Sequence, residues 1–212
     1  CLHCYVGGPR EGPELSTSEW IKAMHKIRDA AIFIVTFTGG EPTLRDDLPE
    51  LIRYAQDNGV VAGLVTNGRR LSDMKYVQSL ADAGLDFAQI TLESYSPEVH
   101  DKMTCTPGSW AQTVQGIKNA VSSKIYVSTN TTLTSLNVDH AVKTMEFIKE
   151  LGVQSFSCNS LIYSGRGVSS SKELSLSIEK VKTTLVALKE KSEVLGMNFT
   201  WFTPTRYCEL NP

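Results

Sequence analysis

Long apolar runs, blocks of like charge and closely spaced cysteine networks are all missing from this chain of 212 residues. The apolar run Ile32 to Phe37 falls far short of the roughly 20 residues a membrane-spanning helix needs. No membrane partner is therefore expected. The 21 basic and 23 acidic residues leave a formal charge of -2, and no cluster of either sign offers a surface for nucleic acid. Only 5 cysteines occur, at positions 1, 4, 105, 158 and 208. An odd, dispersed set in a chain large enough to build its own core argues against a disulfide framework. Reduced thiols and a cytoplasmic location are expected.

What is present is a regular alternation. β-rich runs at Ile32 to Phe37, Val60 to Thr66, Phe87 to Leu92, Ile125 to Thr131, Ser155 to Leu161 and Asn198 to Phe202 are separated by helical patterns. The repeat of roughly thirty residues is that of a βα unit, which predicts a parallel sheet. Ile32-Phe33-Ile34-Val35 is apolar on consecutive residues, as in a strand covered on both faces. Ser16 or Thr17 is positioned to cap a helix whose stripe of Trp20, Ile21, Met24 and Ile27 is expected to bury against the sheet. Leu48, Leu51, Ile52 and Ala55 repeat that spacing, and Asn58-Gly59, Ala83-Gly84 and Leu151-Gly152 read as helix stops. Gly7 to Pro13 and the serine-rich stretch Ser164 to Ser175 read as loops, the second mobile.

The chemistry-bearing residues sit at the ends of these units. Cys1 and Cys4 frame C-L-H-C, followed by Tyr5. A C-x-x-C pair alone serves zinc, iron–sulfur, haem attachment or dithiol chemistry. Gly39-Gly40-Glu41-Pro42 follows the first strand, where glycines let the backbone turn and approach a ligand closely. It also reads as an ordinary turn with Pro42 starting a helix. Asn67-Gly68 ends the second strand and, taken alone, is a turn. Thr91-Leu92-Glu93-Ser94 ends the third, and Pro97-Glu98-Val99-His100-Asp101 follows it. His100 beside Asp101 reads as a structural helix-start pair more readily than as a base or metal ligand. Asn130 and Thr132, with Ser128 before them, lie on the fourth strand, and Gly165-Arg166-Gly167 follows the fifth.

Taken together, C-L-H-C, G-G-E-P and T-L-E-S resemble the motifs of radical S-adenosylmethionine enzymes across essentially the whole chain. The family motif is C-x3-C-x-aromatic-C, so the resemblance makes Cys1 and Cys4 the second and third cluster cysteines and His3 the aromatic position. The first cysteine would lie four residues ahead of residue 1. Thr91 stands where the family has serine, and Glu93 where it has aspartate. The implied fold is α/β, a partial (β/α)6 TIM-like barrel whose first strand precedes residue 1. The implied layout is a core over residues 1–203, with 204–212 opening a bridge to a cysteine-rich SPASM extension.

The resemblance also implies a function: reductive cleavage of S-adenosylmethionine at a [4Fe–4S] cluster, giving a 5′-deoxyadenosyl radical that abstracts hydrogen from a peptide, protein or tetrapyrrole-type substrate. The implied cofactors are the cluster on Cys1 and Cys4, S-adenosylmethionine, and auxiliary iron–sulfur clusters in the extension. A reductant such as flavodoxin or ferredoxin is the implied electron donor. Residues implied to face the cofactor are His3, Tyr5, Gly39, Gly40, Glu41, Pro42, Asn67, Thr91, Glu93, Ser94, Asn130 and Arg166. Two other classes share the fold: an iron-free (β/α)-barrel metabolic enzyme, which leaves C-L-H-C unexplained, and a noncatalytic barrel scaffold that has lost its cluster.

Overall fold

A computed structural model describes residues 1–7 and 12–205. Six parallel strands pair in simple sequential order to form an open sheet: β1 (Ile34–Phe37), β2 (Val61–Thr66), β3 (Phe87–Thr91), β4 (Tyr126–Leu133), β5 (Ser155–Ser160) and β6 (Asn198–Trp201). Each expected strand is present, displaced by one or two residues at its ends. All six lie within residues 34–201, so the strand implied ahead of residue 1 is not one of them. The helices between them are α1 (Thr17–Asp29), α2 (Leu48–Asp57), α3 (Met74–Ala83), α4 (Pro97–Thr104), α5 (Ser109–Val121), α6 (Ala141–Glu150), α7 (Arg166–Ser169), α8 (Ser171–Leu174) and α9 (Ile178–Leu195).

The strands are parallel neighbours in sequence order, and the helices that connect them pack on one face of the sheet. There the core forms: Ala62, Leu64, Ala88, Ile90, Val127, Phe156 and Cys158 on the strands pack with Leu48 and Ile52 of α2, Val77 and Leu80 of α3, Ile117 of α5, and Met145 and Ile148 of α6. Strand side chains alternate between faces, so Gln89, Thr91, Ser128, Asn130, Ser157 and Asn159 share the opposite, polar face. In register Thr91 pairs with Asn130, and Asn130 with Ser157. Side-chain bonds knit this row: Asn130 Nδ2 donates to Asn159 Oδ1 at 2.8 Å, and Ser157 Oγ donates to Asn130 Oδ1 at 3.2 Å.

Three expectations need correction. The run Ile32 to Phe37 is not covered on both faces: Ile32 and Phe33, just ahead of β1, and Ile34 within it are 49%, 69% and 59% exposed, and β1 is the edge strand, paired only with β2. The α1 stripe does not bury as a whole; Met24 is buried, whereas Trp20 stays 37% exposed, since this helix packs over that same edge. The Ser164 to Ser175 stretch is not plain loop but carries α7 and α8, with Ser169 Oγ and Ser171 Oγ donating to backbone carbonyls three residues earlier. Elsewhere the local signals hold. Ser16 caps α1, in a box completed by Glu19, and α2, α3 and α6 end at the expected stops. Of the Gly7 to Pro13 loop, residues 8–11 lie outside the described residues, as do 206–212 of the expected bridge, Cys208 among them.

Candidate active site

Four segments converge at the carboxyl ends of the strands, where barrel and open α/β sheets place their chemistry. The C-L-H-C turn is held from two sides. Leu2 N–H donates to the Met103 carbonyl of α4 at 2.8 Å, and the Cys4 carbonyl accepts from Gly167 N–H of α7 at 3.3 Å. Between these anchors His3 Nε2 stands 3.0 Å from Glu93 Oε1, just beyond β3. Cys1 and Cys4 are free and partly exposed, and Tyr5 is 51% exposed.

The turns after β1 and β2 are joined by Glu41. Its Oε1 accepts from Thr43 N–H at 3.1 Å, Thr43 Oγ at 2.7 Å and Thr66 Oγ at 2.7 Å, and its Oε2 from Asn67 N–H at 2.8 Å. The carboxylate is thereby consumed in fastening the two turns, and Pro42 opens a short 3-10 turn over Pro42–Leu44 with Glu41 as its cap. Gly39 and Gly40 lie exposed beside it, and a Cβ added to either would meet nothing within 4 Å. Gly39 has φ +146°, which favours glycine on conformation alone; Gly40 has no such restriction. Asn67 closes its own turn, Oδ1 accepting from Arg69 N–H at 2.9 Å.

Beyond β3, Thr91 is half-buried on the polar face, while Glu93 and Ser94 are buried. Glu93 Oε2 accepts from Thr132 N–H at 2.9 Å, its own N–H donates to His100 Nδ1 at 3.2 Å, and its carbonyl accepts from Asn137 Nδ2 at 2.8 Å. Ser94 Oγ lies 2.9 Å from His140 Nδ1. Asp101 accepts from Gly108 N–H at 2.6 Å, Trp110 N–H at 2.7 Å and Ser109 Oγ at 2.8 Å, so it caps α5. The structural reading of His100-Asp101 is therefore the one the contacts support. Arg166 is exposed, and among the described residues its guanidinium makes no ion pair. Asn137 and His140, which the sequence reading missed, carried no signal: each acts on a strand end more than 40 residues away.

The electrostatics follow from burial and these partners. Burial works against charge on His3, but the adjacent Glu93 carboxylate outweighs it and holds the imidazole above its ordinary range. Burial dominates at His100 and pushes it down despite the nearby carboxylates of Glu93 and Asp101. Burial also raises the Cys158 thiol, with the Glu93 charge adding to it. At Asp101, burial is outweighed by the donors from Trp110, Gly108 and Ser109, which keep the carboxyl below its usual range.

The donor chemistry fits an iron–sulfur cluster in kind, because two reduced thiols on one anchored turn are the soft ligands iron–sulfur centres take. Among the described residues no three His, Cys, Asp or Glu side chains are grouped to hold a metal ion, so this turn by itself offers two thiols. His3 Nδ1 is buried without a partner, and the space over Gly39 and Gly40 is open. The open glycine turn leaves room for a bound group at this end of the sheet. No helix among the described residues is long and apolar enough to cross a membrane.

The AdoMet-dependent heme synthase of Methanosarcina barkeri is 30% identical over 199 residues, which is 92% of this chain and 56% of that protein. The PqqA peptide cyclase of Granulibacter bethesdensis is 25% identical over 215 residues, 98% of this chain and 57% of that protein. The chain thus spans a little over half the length of these relatives. In fold it is similar to Streptococcus suis SuiB bound to S-adenosylmethionine, with a TM-score of 0.82 and 14% identity over 99% of this chain and 48% of that one. The family model of the Radical SAM superfamily matches residues 1–148, and the chain belongs to that superfamily.

Proposed function

We propose that this chain is the catalytic core of an enzyme that reductively cleaves S-adenosylmethionine and passes the resulting radical to a C–H bond of a peptide, protein or tetrapyrrole-type substrate. The observation that carries the reading is the convergence of the C-L-H-C turn, the open Gly39-Gly40 turn and the polar row through Thr91 and Asn130 at one end of the sheet. In a cluster held by three thiolates, one iron remains free to chelate S-adenosylmethionine, and the bound pair supplies the electron and the 5′-deoxyadenosyl radical.

Each residue has a corresponding part. Cys1 and Cys4 would hold irons of the cluster, and His3, between them in sequence, rests against Glu93. The exposed backbone at Gly39 and Gly40 lets an ammonium group approach carbonyls without side-chain obstruction. Glu41 and Asn67 hold that turn in place, and Pro42 sets its exit. Thr91, Asn130 and Ser94 shape the polar wall, and Arg166, exposed beside the cluster turn, is suited to a carboxylate. Tyr5, also exposed, borders the opening. Relatives act on peptides or tetrapyrroles according to their names, and both classes stay within the proposal. A flavodoxin or ferredoxin is the proposed electron donor.

The test uses the full-length protein, reconstituted anaerobically. About four irons per core cluster and slow release of 5′-deoxyadenosine under a strong reductant are expected, and both should vanish in Cys4→Ala. A fully loaded protein that made no 5′-deoxyadenosine with any reductant would return the chain to the scaffold class.

A further inference from the structure

We propose that Glu93 is a positioning residue that sets the C-L-H-C turn through His3, and that it does so before any metal is present. The role rests on the reading that Cys1 and Cys4 are cluster ligands. Glu93 is 0% exposed, and each of its carboxylate oxygens faces a protein group, His3 Nε2 at 3.0 Å and Thr132 N–H at 2.9 Å. Oε1 is buried and makes no hydrogen bond besides this contact with His3. Its backbone is also tied on both sides: its N–H donates to His100 and its carbonyl accepts from Asn137.

A buried carboxylate is costly unless partnered, and replacing a whole buried pair by apolar side chains of similar volume is often neutral or stabilising. Here the partner, His3, is one of the two residues that separate Cys1 from Cys4. Among the described residues, the His3–Glu93 contact is the sole side-chain tie on residues 1–7, the other anchors being the backbone bonds of Leu2 and Cys4. The second wall of the turn is equally tight: a Cβ on Gly165 would come within 2.6 Å of Gly7 N and 2.8 Å of the Cys4 carbonyl oxygen. The turn is thus pressed from the β5 side by backbone and fixed from the β3 side by Glu93. Fixing the imidazole fixes the direction of the thiols one and two residues away, the precision that a catalytic metal site draws from the groups behind its ligands.

Hydrogen–deuterium exchange on the metal-free, full-length protein tests this. Glu93→Gln and His3→Phe should each speed exchange of residues 1–7 about tenfold while leaving β2 and β5 unchanged, because only the turn loses its tie. The double variant should be no faster than the faster single one, since both remove the same contact. After reconstitution, both singles should shift the midpoint potential of the cluster, which a purely structural role in the core would not move. Unchanged exchange in His3→Phe, or fully additive effects, would overturn the proposal. Should Glu93→Gln unfold globally, His3→Phe still decides, because His3 lies on the turn and outside the core. A wild-type protein that takes up no cluster would remove the ligand reading itself, an outcome separate from the exchange result.

Discussion

Glu41 Oε2 accepts the backbone N–H of Asn67 at 2.8 Å, so the turn after β1 is fastened to the turn after β2 by a single carboxylate. With Thr43 and Thr66 on its other oxygen, Glu41 satisfies four donors. Glu41→Ala should cost about 2 to 4 kcal/mol, because it leaves part-buried donors unpaired around a lost charge. Glu41→Gln should cost less but still destabilise, since its amide nitrogen cannot accept. Urea unfolding of the full-length protein measures both. A Glu41→Ala protein within about 0.5 kcal/mol of wild type would mean water replaces the carboxylate freely.

Gly40→Val offers a cleaner probe of the cofactor turn. Gly40 has no positive φ and an added Cβ meets nothing within 4 Å, so the fold should tolerate valine with little change in unfolding midpoint. Affinity for S-adenosylmethionine should nevertheless fall about tenfold or more, because the branched side chain fills the approach. Calorimetric titration of the reconstituted protein, with iron content as control, reads it. Undiminished affinity would take this turn out of the site.

Asp101 caps α5 across the short loop from α4. Asp101→Ala should cost about 1 to 2 kcal/mol, the usual loss for a helix cap. Its carboxyl is held below the ordinary value, so the stabilisation is present above the unfolded pKa of about 3.9 and is lost as pH falls through the folded pKa. Wild type and variant should therefore converge in stability in strong acid. A constant difference from pH 7 down to pH 3 would contradict the cap.

His100 works in a higher pH range. Burial holds it below its ordinary value, so the folded state resists a proton that the unfolded chain accepts near pH 6.5. Its contribution is present above that pH and is lost as pH falls below it. Asparagine keeps an acceptor near the Glu93 N–H and does not titrate. His100→Asn should flatten the loss of stability between pH 7 and pH 5, measured by urea midpoints. An identical slope in both proteins would assign the titration elsewhere.

The βα period, the capped start of α1 at Ser16 and the helix stops were readable from the chain itself, since each depends on residues within one or two turns of one another. The motifs at the strand ends were readable too, because spacing along the chain places them at the same edge of a parallel sheet. Roles that depend on partners distant in sequence were not. Glu41 reads as an open carboxylate until folding brings Thr66 and Asn67 to it, 25 and 26 residues on, and Glu93 reads as a polar strand end until His3 meets it from the first turn. Burial is divided between the two: the resemblance, with its first strand ahead of residue 1, already implied that Ile32 to Phe37 is an unpaired edge, whereas the apolar composition of Ile32 to Ile34 reads as a covered strand, and their exposure follows from which neighbours the sheet supplies. Local sequence therefore determined the elements and their chemistry, while the tertiary structure decided which polar groups face a ligand and which are spent on holding the turns.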